Sequence, residues 1–351
     1  MISFLLPESK VRRIVIFVGL VIILELVIWI FGPRGLDVRD GRHDLGQNAI
    51  WLQHGWLGDR SWFVKYDKLD KLAHFRNPDR VRELAELLGR HNIRDVFPHL
   101  CPAGSDGRIL PVDDKATEQF LDKFNDFRVM PWIGGVLSKN VILKDPLWRK
   151  TFVASIERLL TAHPRLAGLH LNIEPCPTGN SHFLRLLDEI KAVLPAGKIL
   201  SVAAYPPPTI LHPYPQVHWD KSYYLKVAKR VDQIAVMMYD TSIRFRMLYR
   251  HLMAEWTLEI LRWTKGTKVL LGLPAYEDLQ VEYHHADVEN LTEALQGVHL
   301  GLTIFGQLPD NYQGTVIYSE WQMNASKWQV YRTHFVKSSG EQADREDLTD
   351  H

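Results

Sequence analysis

Two cysteines in 351 residues, Cys101 and Cys176, are too few for a disulfide scaffold, and they lack the spacing of a cysteine-built zinc site. Neither sign of charge is in excess: 42 Lys and Arg stand against 41 Asp and Glu, interspersed rather than in blocks. The basic stripe that a nucleic-acid partner requires is missing. No Gly-rich phosphate fingerprint follows the first candidate strand, and there is no fixed-length repeat or low-complexity tract. Aromatic residues, by contrast, are plentiful. Eleven Trp and twelve Tyr are more than a plain core needs, and such a surplus either lines a ligand cleft or packs.

A long hydrophobic run occurs at the N-terminus. The eighteen residues from Ile14 to Phe31 are apolar except for Glu25, just sufficient to span a bilayer. Lys10, Arg12 and Arg13 precede them, so the positive-inside rule predicts a cytoplasmic N-terminus and an extracytoplasmic body. A cleaved signal peptide is the alternative, but "WIFGPRGLD" has no small-x-small cleavage site. The chain therefore divides into a cytoplasmic start and anchor (1–32), a polar tether (33–46), a main domain (47–337) and a polar, disordered tail (338–351). Outside the cytoplasm a Cys101–Cys176 bridge is permitted.

Within the main domain, short β-rich apolar runs alternate with segments of helical period. The runs are 49–54, 93–98, 128–133, 168–173, 199–204, 233–239, 268–274 and 314–319. Apart from Arg94 and Asp95 in the second, they carry no charges in their middles, as strands buried on both faces should not. Eight such units predict an α/β fold, a (β/α)8 TIM barrel behind one transmembrane helix, in preference to a doubly wound open sheet.

In such barrels chemistry sits at the C-terminal strand ends. Strand one leads to His54 and Trp56, strand three carries Trp132, and strand four ends in Asn172 and Glu174 above His170. Strand five runs into Tyr205, strand six into Met238, Tyr239 and Asp240, strand seven into Tyr276, and strand eight into Glu320 and Trp321. Aromatic rings stack on sugar faces, while carboxyls and amides bond hydroxyls. Cleaving a glycosidic bond needs a proton donor, and Glu174 at an aromatic-lined strand end is placed to be one. No metal or organic cofactor is implied. The loop "EYHHAD" (His284, His285, Asp287) reads as exposed histidines rather than a metal site. "NLT" (290–292) and "NAS" (324–326) match the glycan-acceptor pattern by chance.

"AGLHLNIE" (167–174) resembles the strand-four motif D-G-x-D-x-D-x-E of the family 18 glycoside hydrolases, the chitinase-like barrels. "MMYD" (237–240) is similar to that family's M-x-Y-D, "LLGLPAYED" to its G-x-P-x-Y, and "YSEW" places Trp321 at the sugar-binding floor. The motif's three aspartates are replaced here by Ala167, His170 and Asn172, and the acid Glu174 is retained. The resemblance implies that the residue two before the glutamate orients the substrate acetamido group, which itself attacks the anomeric carbon. An amide can do part of this, and family 85 endo-β-N-acetylglucosaminidases are similar in using Asn-x-Glu. Tyr239 and Asp240 would contact the acetamido carbonyl and neighbouring hydroxyls. His54, Trp56, Trp132, His170, Tyr205, Met238, Tyr276, Glu320 and Trp321 are expected to line the cleft.

Three functions follow. The first is a membrane-anchored hydrolase of a β-linked, N-acetylhexosamine-containing oligosaccharide or polysaccharide. The second is an inactive chitinase-like carbohydrate-binding protein. The third is a retaining glycosidase, since "NIEP" is less closely similar to the Asn-Glu-Pro acid of other barrels. Its nucleophile would come from Glu277 or Asp278, or from Glu320 as the second carboxyl.

Overall fold

Apolar runs that need partners on both edges find them in a ring of parallel strands. The computed structural model describes residues 35–277 and 282–337, with residues 10, 12–13, 15–20 and 23. The strands are β1 (Asn48–Leu52), β2 (Ile93–Pro98), β3 (Arg128–Val129), β4 (Trp132–Val136), β5 (Gly168–Glu174), β6 (Ile199–Ala204), β7 (Gln233–Val236), β8 (Lys268–Pro274) and β9 (Tyr312–Tyr318). They form one sheet in the order β3-β2-β1-β9-β8-β7-β6-β5-β4, every pair parallel.

The expected third strand, 128–133, is split because Pro131 has no N–H to give to a ladder. Its halves still close the ring. Met130 N bonds Val96 O and Ala167 N bonds Val129 O, while His99 bridges to Trp132. Nine strands with two sharing one position leave the eight positions of a TIM-type barrel.

Connecting helices start where Asn or Asp can cap them. Asn77 accepts from Asp79 N ahead of α1 (Pro78–Arg90), and Asp113, Asp145, Asn180 and Asp220 do the same for α2 (Asp114–Lys123), α3 (Pro146–Ala162), α4 (Ser181–Val193) and α5 (Lys221–Ala228). Helix α1 turns Val81, Leu84, Ala85 and Leu88 inward, the i, i+3, i+4, i+7 stripe of an outer barrel helix. Then come α6 (Arg246–Trp263), α7 (Leu291–Ile304) and α8 (Ala325–His334). Asn290 and Asn324, the first residues of the two glycan-acceptor matches, are the caps of α7 and α8.

Alternation along β1 sends Ile50 and Leu52 to the outer core and Ala49 and Trp51 to the barrel interior, where they meet Phe97, Met130, Trp132 and Val316. The N-terminal end of the barrel is plugged by a polar knot. Asp95, wholly buried, accepts from Arg128 Nε (2.5 Å), Gln233 Nε2 (2.6 Å) and Gln313 Nε2 (2.9 Å). Burial pushes the Asp95 carboxyl up, and the guanidinium and amides oppose it.

The expected tether does not hang free over its described part. Leu36 N bonds Gln296 O, His43 meets His299 at 2.7 Å, and Asp44 accepts from Asn92 Nδ2 (2.6 Å) and Lys337 N (2.9 Å). Its polar side chains dock the segment across the N-terminal ends of the strands. Cys101 and Cys176 are buried free thiols, so the permitted bridge is not formed. The expected tail, 338–351, and most of the expected anchor lie outside the described residues. Among the described residues no helix is long and apolar enough to cross a membrane.

Candidate active site

Strand β5 carries His170, Asn172 and Glu174 on its inward face, rising from barrel interior to mouth. His170 is wholly buried and stacks on Phe97 at 4.0 Å. Trp51 Nε1 donates to its Nε2 at 3.0 Å, which leaves its Nδ1–H to donate to Ser201 Oγ at 2.8 Å. Burial lowers its pKa to about 3, so a neutral imidazole among aromatics stands at this level of the barrel.

One step up, Asn172 Nδ2 donates to Glu174 Oε1 at 2.7 Å, while Asn172 Oδ1 is buried without a partner. Gly134 is the register partner of Asn172. It has φ +127°, and a Cβ there would lie 2.0 Å from Asn172 O, so only glycine lets β4 pass this close. Glu174, half-buried, also faces the Tyr205 hydroxyl, which donates to its Oε2 at 3.4 Å. Burial raises the Glu174 pKa, the Asn172 hydrogen bond lowers it, the Asp240 carboxylate raises it and Tyr205 lowers it, with a net rise.

The facing wall comes from β7, β8 and β9. The β7 ladder ends at Val236, and the chain continues through Tyr239 to Asp240, which has φ +63°. Asp240 accepts a short hydrogen bond from the Tyr276 hydroxyl, and His284 Nδ1 lies 3.3 Å from it. His284 stacks on Tyr276 at 4.0 Å and lies 3.8 Å from Glu289. Burial opposes charge on His284, but the Asp240 hydrogen bond and the Glu289 charge outweigh it and raise its pKa. Glu289 is pushed up to about 7 by burial. Asp240, His284 and Glu289 form a metal-sized group, their ligand atoms within 4.8 Å of one another. Tyr276 bonds Asp240, and Thr241 N bonds both Glu289 oxygens at 3.1 Å, so the trio reads as a hydrogen-bonded support for Asp240.

Tyr318 joins the walls. It stacks on Tyr239 at 5.4 Å and meets Trp51, Trp132, Tyr276 and Trp321 edge-on. Beside this centre opens a cleft of about 640 Å³, with His54, His99, Val136 and Trp321 among its walls. Val136 is the register partner of Glu174, so cleft and acid are adjacent. Glu320, partly buried beside Gln53 N at 3.5 Å, is pushed up to about 7 by burial.

Of the residues expected at the site, Glu174, Asn172, Tyr205, Tyr239, Asp240 and Tyr276 come together around the barrel mouth, with Trp132 buried in the aromatic wall beneath. His54 and Trp321 line the adjoining cleft. Three do not reach it. His170 is sealed below, Met238 is fully buried with its carbonyl bonded to Tyr249, and Trp56 packs edge-on to Phe75 at 4.9 Å in the outer core. Glycine at 55, with φ +104°, turns the chain away from the mouth before Trp56. The loop histidine His284, expected to be exposed, is buried. Tyr318, His284 and Glu289 were not expected. Tyr318 ends an expected strand and was reachable by the strand-end rule, whereas His284 and Glu289 sit in a loop without periodicity.

The barrel thus carries at the end of β5 an acid bonded by Asn172 and Tyr205, facing Asp240 and ringed by aromatics. The profile of glycosyl hydrolases family 18 matches residues 104–340, and the chain belongs to that family of glycoside hydrolases. Solved structures show the same fold at low identity. A chitinase from Bacteroides thetaiotaomicron aligns at 12% identity and TM-score 0.53, over 84% of this chain and 97% of that one. The chitinase from Chromobacterium violaceum aligns at 14% and 0.51, over 82% and 98%. The spore cortex-lytic enzyme SleL of Bacillus cereus aligns at 12% and 0.52, over 83% and 76%. Comparison with curated protein sequences finds no match.

Proposed function

We propose that the protein hydrolyses a β-linked, N-acetylhexosamine-containing glycan, with Glu174 as general acid/base and the substrate acetamido group as nucleophile. The observation that carries this is the Asn172–Glu174 pair. Its amide donates to the acid at 2.7 Å and keeps a buried carbonyl oxygen free of protein partners. An acetamido N–H needs such an acceptor if its carbonyl oxygen is to be turned on the anomeric carbon. Tyr239 and Asp240 hold the acetamido carbonyl and the neighbouring hydroxyls, Asp240 being fixed by Tyr276 and His284. The burial that raises the Glu174 pKa favours the protonated acid that bond cleavage requires.

The mechanism with a protein nucleophile is less well supported. Glu277 is tied to Lys327 Nζ at 2.7 Å and is largely exposed, and Asp278 lies outside the described residues. The purely sugar-binding reading gives no reason for the acid to be held in this way. The test is turnover of chito-oligosaccharides by the full chain in detergent. Hydrolysis inhibited by an N-acetylglucosamine-thiazoline is expected. A covalent glycosyl-enzyme trapped by a 2-fluoro sugar would establish the nucleophile route instead, and binding without turnover would leave a lectin.

The same reading places the protein in a membrane as a single-pass chain, N-terminus cytoplasmic and barrel extracytoplasmic, anchored by residues 14–31. Its support is the run of apolar residues behind three basic ones. The described residues Val15, Ile16, Phe17, Val18, Leu20 and Ile23 are helical and leave their side chains exposed. The full chain should stay in the membrane fraction through alkaline carbonate and leave it in detergent, whereas a chain lacking residues 1–34 should be soluble. Carbonate extraction of the full chain would refute the anchor.

A further inference from the structure

The cleft beside the acid has a chemistry that a neutral glycan does not use. Four lysines line it, Lys65, Lys68, Lys71 and Lys139, and no Asp or Glu does. Lys65 ends the short helix Arg60–Lys65, Lys68 and Lys71 follow within six residues, and Lys139 faces them from the turn after β4. All four are exposed, and they converge on the cleft from two segments of the chain.

These ammonium groups also lack counter-ions. Some lysines elsewhere are bonded, Lys191 to Asp232 at 2.7 Å, Lys327 to Glu277 at 2.7 Å and Lys198 to two carbonyls, and others such as Lys115 and Lys144 are not, so what distinguishes the four is their convergence on one cleft. Among the described residues, none of the four cleft lysines is hydrogen-bonded or ion-paired through its ammonium group. Two are held instead over ring faces. Lys68 Nζ lies 5.1 Å from the centre of Trp62, which itself stacks on His54 at 4.3 Å, and Lys65 Nζ lies 5.3 Å from Tyr66. A ring face orients an ammonium without neutralising it. Asp67 and Asp70 alternate with three of these lysines along the chain but do not line the cleft, so the charged side chains that face it are the lysines.

We infer that this cleft is the subsite for an anionic sugar, so that the substrate is an acidic N-acetylhexosamine glycan carrying carboxylate or sulfate groups next to the scissile linkage. The inference rests on the proposed hydrolysis and names the substrate class of that same site. Trp321 supplies a ring face for stacking, and the lysines supply donors for the anionic group. Its distance from the acid is short on the strand scale, since Val136 pairs in register with Glu174.

The test compares kcat/KM of the full chain on a chito-oligosaccharide with the same oligosaccharide oxidised to carboxylates at C6, and with its C6-sulfated form, at low and at 0.5 M salt. Acidic substrates should be preferred at least about tenfold at low salt, and the preference should shrink as salt screens the lysines. A preference for one of the two acidic forms identifies the anion. Replacing Lys65, Lys68, Lys71 and Lys139 together by Gln should bring the ratio of acidic to neutral kcat/KM close to one, and replacing them by Arg should keep it high. Equal kcat/KM on neutral and acidic forms, or a preference that survives the four Gln substitutions, would overturn the subsite while leaving the proposed hydrolysis standing. If the wild type neither cleaves nor binds any of them, the proposed hydrolysis fails and the subsite with it.

Discussion

Glu174→Gln lowers kcat on a cleaved oligosaccharide by at least about a hundredfold, the scale of general-acid catalysis, with little change in KM. Glutamine keeps the shape and can still accept from Asn172 Nδ2 through its carbonyl oxygen, but it has no proton to give to the leaving oxygen. In the proposed mechanism the active form is the protonated acid, so kcat should fall as pH rises through the Glu174 pKa. Burial raises that pKa, and the alkaline limb therefore lies above the range of an ordinary glutamate. Asn172→Ala carries a sign of its own. The Asn172 hydrogen bond lowers the Glu174 pKa, so its loss moves the alkaline limb to higher pH while kcat drops about tenfold through misplacement of the acetamido group. A pH–rate profile on both variants decides the matter. Full activity in Glu174→Gln, or a limb that moves to lower pH in Asn172→Ala, removes Glu174 from the mechanism.

Asp95→Ala destabilises the fold by about 3 kcal/mol, the lower end of the range for breaking a buried pair. The substitution leaves the Arg128 guanidinium and the amide groups of Gln233 and Gln313 without their common acceptor. Arg128 is 31% exposed, and water reaching it keeps the loss from being larger. The melting temperature should fall on the order of 5 to 10 °C, as calorimetry can measure. Asp95→Asn should lose less, because it retains one acceptor oxygen. The knot lies at the end of the barrel opposite Glu174, so the kcat of the folded variants should hold. A melting temperature within a degree of wild type for Asp95→Ala would mean that the knot contributes nothing.

How far the sequence discloses this molecule varies residue by residue. The apolar run 168–173 is legible because burial on both faces suppresses charge, and its inward alternation puts Asn172 and Glu174 on one face without any coordinates. Tyr239 and Asp240 are legible by the same rule, since polar residues follow an apolar run at its open end. Trp56 is not. It stands only four residues beyond Leu52, but the turn at Gly55 reverses its direction, and a left-handed glycine leaves no signal that separates a cleft wall from an outer core. His284 and Glu289 are hidden for a different reason. Their burial is created by Tyr276 and Asp240, which belong to other elements, so no local pattern announces it. Residues 35–46 mislead in the opposite sense. Polar composition suggests a loose connection, yet here His43 and Asp44 are the groups that bind the segment to the barrel. The charge in the second strand, an exception to the burial pattern, is the centre of the plug.

Under the proposed anchoring, the docked segment would fix which way the enzyme looks. Its contacts with Asn92, Tyr312 and Lys337 lie at the N-terminal ends of the strands, the face remote from Glu174. Between Phe31, where the proposed anchor stops, and Leu36, the first docked residue, the chain can extend roughly 17 Å at most. With the proposed anchor in a bilayer, so short a leash would stand the barrel on its closed end, with its mouth turned away from the lipid. A seven-residue strand rises roughly 23 Å, and the loops add to that. The proposed anchor would thus hold the reacting bond some nanometres above the lipid. That height would suit trimming a polymer layered over the membrane and would be out of reach of a sugar still attached to a lipid headgroup beneath it.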